Sequence, residues 1–101
     1  MDLVFKALAD PSRRALLDRL FAEDGRTLSD LCVGLDMSRQ AVTKHLAVLE
    51  AANLVVVTRR GRERLHHLNP APIAEIADRW IRKYDQPRAG ALAALKRRLE
   101  A

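Results

Sequence analysis

Two short stretches carry most of the chemistry that this 101-residue sequence offers. One is Ser38-Arg39-Gln40-Ala41-Val42-Thr43-Lys44-His45, and the other is Arg59-Arg60-Gly61-Arg62-Glu63-Arg64. In the first, Val42, Leu46 and Leu49 recur at i, i+4 and i+7, which turns them inward on a helix. Arg39, Gln40, Thr43 and Lys44 then project outward near its N-terminal end, with His45 at the boundary. Arg and Lys pair with guanine O6/N7 or phosphate, Gln with adenine N6/N7, and Thr with either kind of base. Ser38 adds a hydroxyl beside helix N–H groups that are free to meet a phosphate. Taken alone, the stretch is also an ordinary solvated helix face. The second stretch holds Arg59, Arg60, Arg62 and Arg64 together against Glu63 alone. Their mutual repulsion is relieved by a ladder of phosphates, in the backbone or the minor groove. The alternative is a basic edge that discourages strand-to-strand aggregation.

The other reactive side chains do not converge. His66 and His67 are neighbours on an expected strand and point to opposite faces. Cys32 is the only cysteine and shares an apolar stripe with Leu28, Leu31 and Leu35, where it reads as a small hydrophobe. It cannot form an internal disulfide or a cysteine-rich zinc site. Glu75 and Asp78, three residues apart, read as a solvated helix face. There is no Gly-rich phosphate loop, no supported Ser/His/Asp or Cys/His arrangement and no carboxylate pair flanking a cleft. The sequence therefore predicts a protein that is not an enzyme, with no metal site, no cofactor and no small-molecule substrate.

The elements that must position these groups follow from periodicity. Asp2 to Ala9 predicts a short helix with Val4, Phe5 and Leu8 on one side. Asp10 caps a second helix that opens on Pro11 and runs to about Ala22, with Leu16, Leu17, Leu20 and Phe21 on its inner face. Leu28 to Leu35 predicts a helix barely two turns long, capped by Ser29. Ser38 caps the next, to about Ala52. Two short helices and a turn over about 29–52 make a helix-turn-helix. Leu54 to Thr58 and Leu65 to Leu68 predict a hairpin, or wing, over about 54–69. Ile73, Ile76, Ala77, Trp80, Ile81 and Tyr84 mark the strongest helical stripe, over about 72–84, and Leu92, Leu95 and Leu99 a last helix over about 88–100. The fold class is mainly α with a small β-hairpin, a winged helix-turn-helix in one domain spanning 1–101.

Composition agrees with that size. Eighteen Lys and Arg against 13 Asp and Glu leave a net charge of +5, and 49% hydrophobic residues support one modest, mostly aliphatic core. There is no membrane-length apolar run and no secretory pattern, so a cytoplasmic protein is expected. The helices at about 2–9 and 72–84 are not needed by the motif itself. A symmetric dimer is expected through Leu3, Val4, Phe5 and Leu8 together with Ile73, Ile76, Ala77, Trp80, Ile81 and Tyr84. The C-terminal leucines either join that seam or fold back.

Leu8-Ala9-Asp10-Pro11-Ser12-Arg13-Arg14-Ala15-Leu16-Leu17, Met37 through Glu50, Leu54-Val55 and Arg60-Gly61-Arg62 occur in order with compatible spacing. Over roughly residues 3–82 they resemble the ArsR/SmtB family of bacterial winged-helix repressors. The resemblance implies a homodimer whose reading helix, with Ser38, Arg39, Gln40, Thr43, Lys44 and His45, and whose wing bind double-stranded operator DNA. Bacterial, nucleoid-associated placement follows from the same resemblance. Metal-sensing members often carry Cys-x-Cys before the reading helix, where this chain has Leu31-Cys32-Val33-Gly34. Others carry an Asp-x-His and a later His after the wing, where this chain has Asn69-Pro70-Ala71-Pro72 and no His beyond His67. Asn53 stands where Gly is common, and tolerates the same left-handed turn. The resemblance thus implies a repressor of an inverted-repeat operator without a metal effector. The alternatives are a metal- or redox-responsive repressor acting through Cys32, and a winged-helix module for a protein or RNA partner.

Overall fold

Asp10 and Pro11 start the central helix as their chemistry requires. The Asp10 carboxylate accepts the N–H groups of Ser12 and Arg13, at 2.7 and 3.3 Å, and Pro11 takes the first helical position, where no N–H is needed. The computed structural model describes residues 1–84 and 86–100, with backbone only for 86–89. In chain order it contains α1 (Asp2–Leu8), α2 (Pro11–Ala22), α3 (Leu28–Cys32), α4 (Arg39–Ala51), β1 (Val55–Arg60), β2 (Glu63–Leu68), α5 (Ala71–Ile76) and α6 (Gln86–Glu100). A π-helical turn at Ala77–Ile81 and a 3₁₀ turn at Arg82–Tyr84 continue α5.

The core is aliphatic, as the composition demands. Leu16 and Leu20 of α2, Leu31 of α3, Val42 and Leu49 of α4, and Leu54 at the strand entry are essentially inaccessible to water. Each buried Leu or Val contributes about 1.5–3 kcal/mol relative to an exposed one. Together they set α4 against α1, α2, α3 and β1, so the rest of α4 must face out. Asn53 ends α4 in the left-handed region, at φ 60°, and reverses the chain into β1.

The two strands pair antiparallel from Val55↔Leu68 to Arg60↔Glu63, which leaves Gly61 and Arg62 as the loop. Gly61 has φ 63°, the positive value a two-residue loop with Gly at its first position needs. The wing thus projects farther than the sequence suggests: Arg59, Arg60 and Arg64 belong to strands, and only Arg62 of the four arginines lies in the turn. The α2–α3 connection adds a third rung, with Arg26 paired to His66 through both backbone bonds, at 2.7 and 3.1 Å.

Several expectations need correction. α3 is capped by Thr27, not Ser29: the Thr27 hydroxyl accepts Asp30 N–H while the Asp30 carboxylate accepts Thr27 N–H. This reciprocal box satisfies two donors where Ser29 would satisfy one. α3 ends at Cys32, so Leu35 packs on the core from the following turn. Arg19 stops the helix by donating to the carbonyls of Leu31 and Val33. Phe21 is 83% exposed, because the last turn of α2 runs past the elements that cover Leu17 and Leu20. The helical stripe expected from Ile73 to Tyr84 is rephased by the π-helical turn, which breaks the 3.6-residue period.

Candidate nucleic-acid interface

Ser38 fixes where α4 begins. Its hydroxyl accepts Ala41 N–H at 3.1 Å, and its backbone is extended, as an N-cap requires. That starting point puts Val42, Leu46 and Leu49 into the core and leaves Arg39, Gln40, Thr43 and Lys44 exposed. The hairpin leaves Arg59, Arg60, Arg62 and Arg64 exposed as well.

The two stretches meet along a groove of about 530 Å³, open to solvent, between α4 and the wing. Arg39, Thr43 and Glu50 line it from α4, Arg62 and Arg64 from the wing, and Ser29 from the start of α3. The Arg39 guanidinium donates to Ser29 Oγ at 3.1 Å, which steadies it at the groove edge. Thr43 Oγ1 donates to the Arg39 carbonyl at 2.9 Å, so its proton is committed and its methyl and lone pair remain available. Gln40 and Lys44 lie a step around the helix, on the face opposite the core.

His45 lies apart from this group. Its Nδ1 faces Arg13 Nη1 at 3.4 Å, and Arg13 also bonds the carbonyls of Lys6 and Ala7. A guanidinium only donates, so Nδ1 is the acceptor and the ring helps join α4 to α1 and α2.

The wing root rests on a residue that periodicity does not single out. Asp24 accepts Leu68 N–H at 2.8 Å and meets His67 Nδ1 at 2.9 Å, and His67 Nε2 meets Thr58 Oγ1 at 2.8 Å. Partial burial pushes the Asp24 carboxyl up, but the Leu68 N–H and His67 outweigh it and hold the carboxyl below its usual value. Asp10 behaves alike, its helix-cap N–H bonds overcoming desolvation, and the Thr27 cap holds Asp30 down. His66, on the other face of β2, is buried and its Nδ1 bonds the Arg26 carbonyl at 2.9 Å. Both histidines are therefore structural. Cys32 is half-buried against the core. Among the described residues, no three His, Cys, Asp or Glu side chains are grouped to hold a metal ion.

Phe5, Trp80, Ile73, Ile81, Tyr84 and Leu3 form exposed apolar surface on α1 and on the segment after the wing. Phe5 and Trp80 meet edge to face, with ring centroids 5.5 Å apart. Val4, by contrast, is buried in its own chain's core, and Leu8 and Ile76 pack partly against that core.

The helix-turn-helix domain family matches residues 8–58, which covers α2 through most of β1. An HTH-type transcriptional regulator of Bacillus subtilis, YuzN, is 40% identical over 86 residues, spanning 79% of this chain and 94% of that one. The transcriptional repressor SdpR of Bacillus subtilis is 35% identical over 69 residues, spanning 68% of this chain and 76% of its own length. An ArsR-like transcriptional regulator from Rhodococcus sp. RHA1 superposes with a TM-score of 0.77 at 34% identity, covering 98% of this chain and 89% of that one. The chain belongs to the ArsR family of winged helix-turn-helix transcriptional regulators. As an ArsR-family protein it is a DNA-binding regulator and not an enzyme. No helix among the described residues is long and apolar enough to cross a membrane.

Proposed function

We propose that this ArsR-family regulator is a homodimeric repressor of an inverted-repeat operator and works without a metal effector. The observation that carries the DNA half is the shared groove, which sets Arg39 and Thr43 of α4 beside Arg62 and Arg64 of the wing. In this reading α4 enters the major groove with Gln40 and Lys44 leading, and Arg39 and Thr43 reach base edges or phosphate. Ser38 meets the backbone, His45 steadies the helix from behind, and Arg59, Arg60 and Arg62 meet the flanking backbone or minor groove, with Arg64 beside them at the groove.

Surface area supports the dimer half. A compact monomer of 11.4 kDa exposes about 5,800 Å², whereas this chain exposes 7261 Å². The excess exceeds the roughly 800 Å² per partner of a standard interface. Its radius of gyration, 18.3 Å, is also larger than the roughly 13 Å of a compact chain this long. Leu3, Phe5, Ile73, Trp80, Ile81 and Tyr84 supply an apolar seam, with Ala77 at its margin. Two reading helices related by a two-fold axis then address half-sites about 34 Å apart. The donor set supports the metal-free half, because Cys32 has no second thiolate and His66 Nδ1 and both His67 ring nitrogens are engaged in hydrogen bonds. Repression from the bacterial cytoplasm fits the relatives.

Fluorescence anisotropy against the DNA upstream of its own gene, with random duplex as control, tests the reading. Preference for the upstream duplex, and a complex of two chains per site, are expected. Equal affinity for both duplexes at every salt concentration refutes it.

A further inference from the structure

The wing does not present its four arginines on equal terms. Arg64 Nη2 lies 3.8 Å from Glu50 Oε1, and Arg60 Nη2 lies 3.7 Å from Glu63 Oε2. Arg59 and Arg62 have no carboxylate partner among the described residues. Glu50 stands on the same side of α4 as Arg39 and Thr43, eleven and seven residues on from them, and its half-buried carboxylate opens into the groove those residues line. It is an anion placed inside a surface that must meet polyanionic DNA.

We infer that Glu50 is a specificity-determining residue: its carboxylate holds Arg64 out of the set of phosphate-neutralising groups and so restrains binding to unmatched DNA. The inference rests on duplex DNA lying across α4 and the wing, as proposed above. Non-specific affinity comes almost entirely from phosphate neutralisation and counterion release. A non-specific complex is free to shift until a released guanidinium meets a phosphate. An operator complex is held in register by its base contacts, so it gains less from the same release. Glu50 therefore lowers affinity most where base contacts are missing, and it also ties the end of the reading helix to β2.

The test is a double-mutant cycle on a short random-sequence duplex, read as the slope of log affinity against log salt. Glu50→Gln keeps the side-chain shape and removes the charge, and its slope steepens by about 0.9, one phosphate. Over a roughly fourfold rise in salt the variant then loses about 3.5-fold more affinity than wild type. Arg64→Ala flattens the slope by the full step in the Glu50→Gln background and by less than half of it in the wild-type background. Glu50→Ala reproduces the Glu50→Gln slope, and unfolding midpoints close to wild type confirm that each variant is folded. Equal effects of Arg64→Ala in both backgrounds overturn the inference, as does an unchanged Glu50→Gln slope. A Glu50→Gln loss confined to one operator base pair also overturns it, by making Glu50 a reader of cytosine N4. Absence of any operator preference in wild type refutes the proposed function instead, while the random-duplex cycle still decides this point.

Discussion

Replacing Asp24 isolates the anchor of the wing. The carboxylate accepts Leu68 N–H at 2.8 Å and meets His67 Nδ1 at 2.9 Å, and through His67 it reaches Thr58 on the other strand. Two hydrogen bonds to a charged group contribute about 1.5–3 kcal/mol each. The Asp24 side chain is 53% exposed, so solvent screening reduces the pair to about 1.5–3 kcal/mol together. Asp24→Ala is expected to lower unfolding stability at neutral pH by that amount, measured by urea titration. Asp24→Asn retains an acceptor for Leu68 N–H and presents an NH₂ to His67, so it loses the charge and little of the geometry. Its cost should be the smaller of the two.

The sign of the pH dependence follows from the direction of the shift. The folded carboxyl titrates below its unfolded value, so its contribution is fully present above the ordinary Asp value of about 3.9. That contribution is lost as pH falls through the lower folded value. The stability gap between wild type and Asp24→Ala should therefore be constant near neutrality and narrow in acid. Amide exchange at Leu68 should speed up in the variant, and DNA affinity should fall, because a loosened root no longer holds Arg59 and Arg62 at a fixed distance from α4. A variant as stable as wild type at neutral pH, or a gap that widens on acidification, refutes the assignment of Asp24 as the anchor.

Four further variants have expected outcomes. Arg62→Ala should weaken binding to operator and random duplex alike and flatten the salt slope by about 0.9, whereas Gln40→Ala should relax base preference at a cost of about 1–3 kcal/mol, both read by anisotropy titration. Leu49→Ala empties a fully buried position on the inner face of α4 and should cost about 2–5 kcal/mol in urea unfolding. Ile81→Glu places a charge on a residue that is 63% exposed, so the isolated chain tolerates it; sedimentation should nonetheless report monomers, with operator affinity falling accordingly.

The legible parts of the molecule are written locally. Asp10-Pro11, Ser38 and Asn53 each determine a helix end through their own side chains or backbone, and each does so in the structure as read. The inward face of α4 follows from Val42, Leu46 and Leu49, and the outward face is its complement. Thr27 was also legible, since Thr27 and Asp30 have capping-box spacing, but Ser29 competes for the same role and only the reciprocal pair decides it. Phe21 is exposed although it shares a side of α2 with Leu17 and Leu20, because periodicity says which side a residue occupies, not how far its neighbours extend. Val4 lies in the core rather than in the expected seam, because an apolar stripe looks the same whether it faces its own core or a second copy. Asp24, Arg13 with His45, and Glu50 were out of reach: their partners lie 44, 32 and 14 residues away, and no local pattern marks such pairs.

Those distant pairs share a consequence for how a net charge of +5 acts on DNA. Much of the acidic complement is spent within the fold: Asp10 and Asp30 on helix caps, Asp24 on the wing root, and Glu75 and Asp78 on Arg79 and Arg82 one turn along the helical segment after the wing. Among the described residues that line the groove the acidic ones are Glu50 and Glu63, and each engages one named arginine. Arg39, Lys44, Arg59 and Arg62 are left without a carboxylate partner among the described residues, on α4 and the wing that flank one groove. A whole-molecule charge therefore understates the field a duplex meets there, while the count of four wing arginines overstates how many are free to answer it. The operative quantity is the number of cations left unpaired beside the groove, and salt-dependent binding measures that number directly.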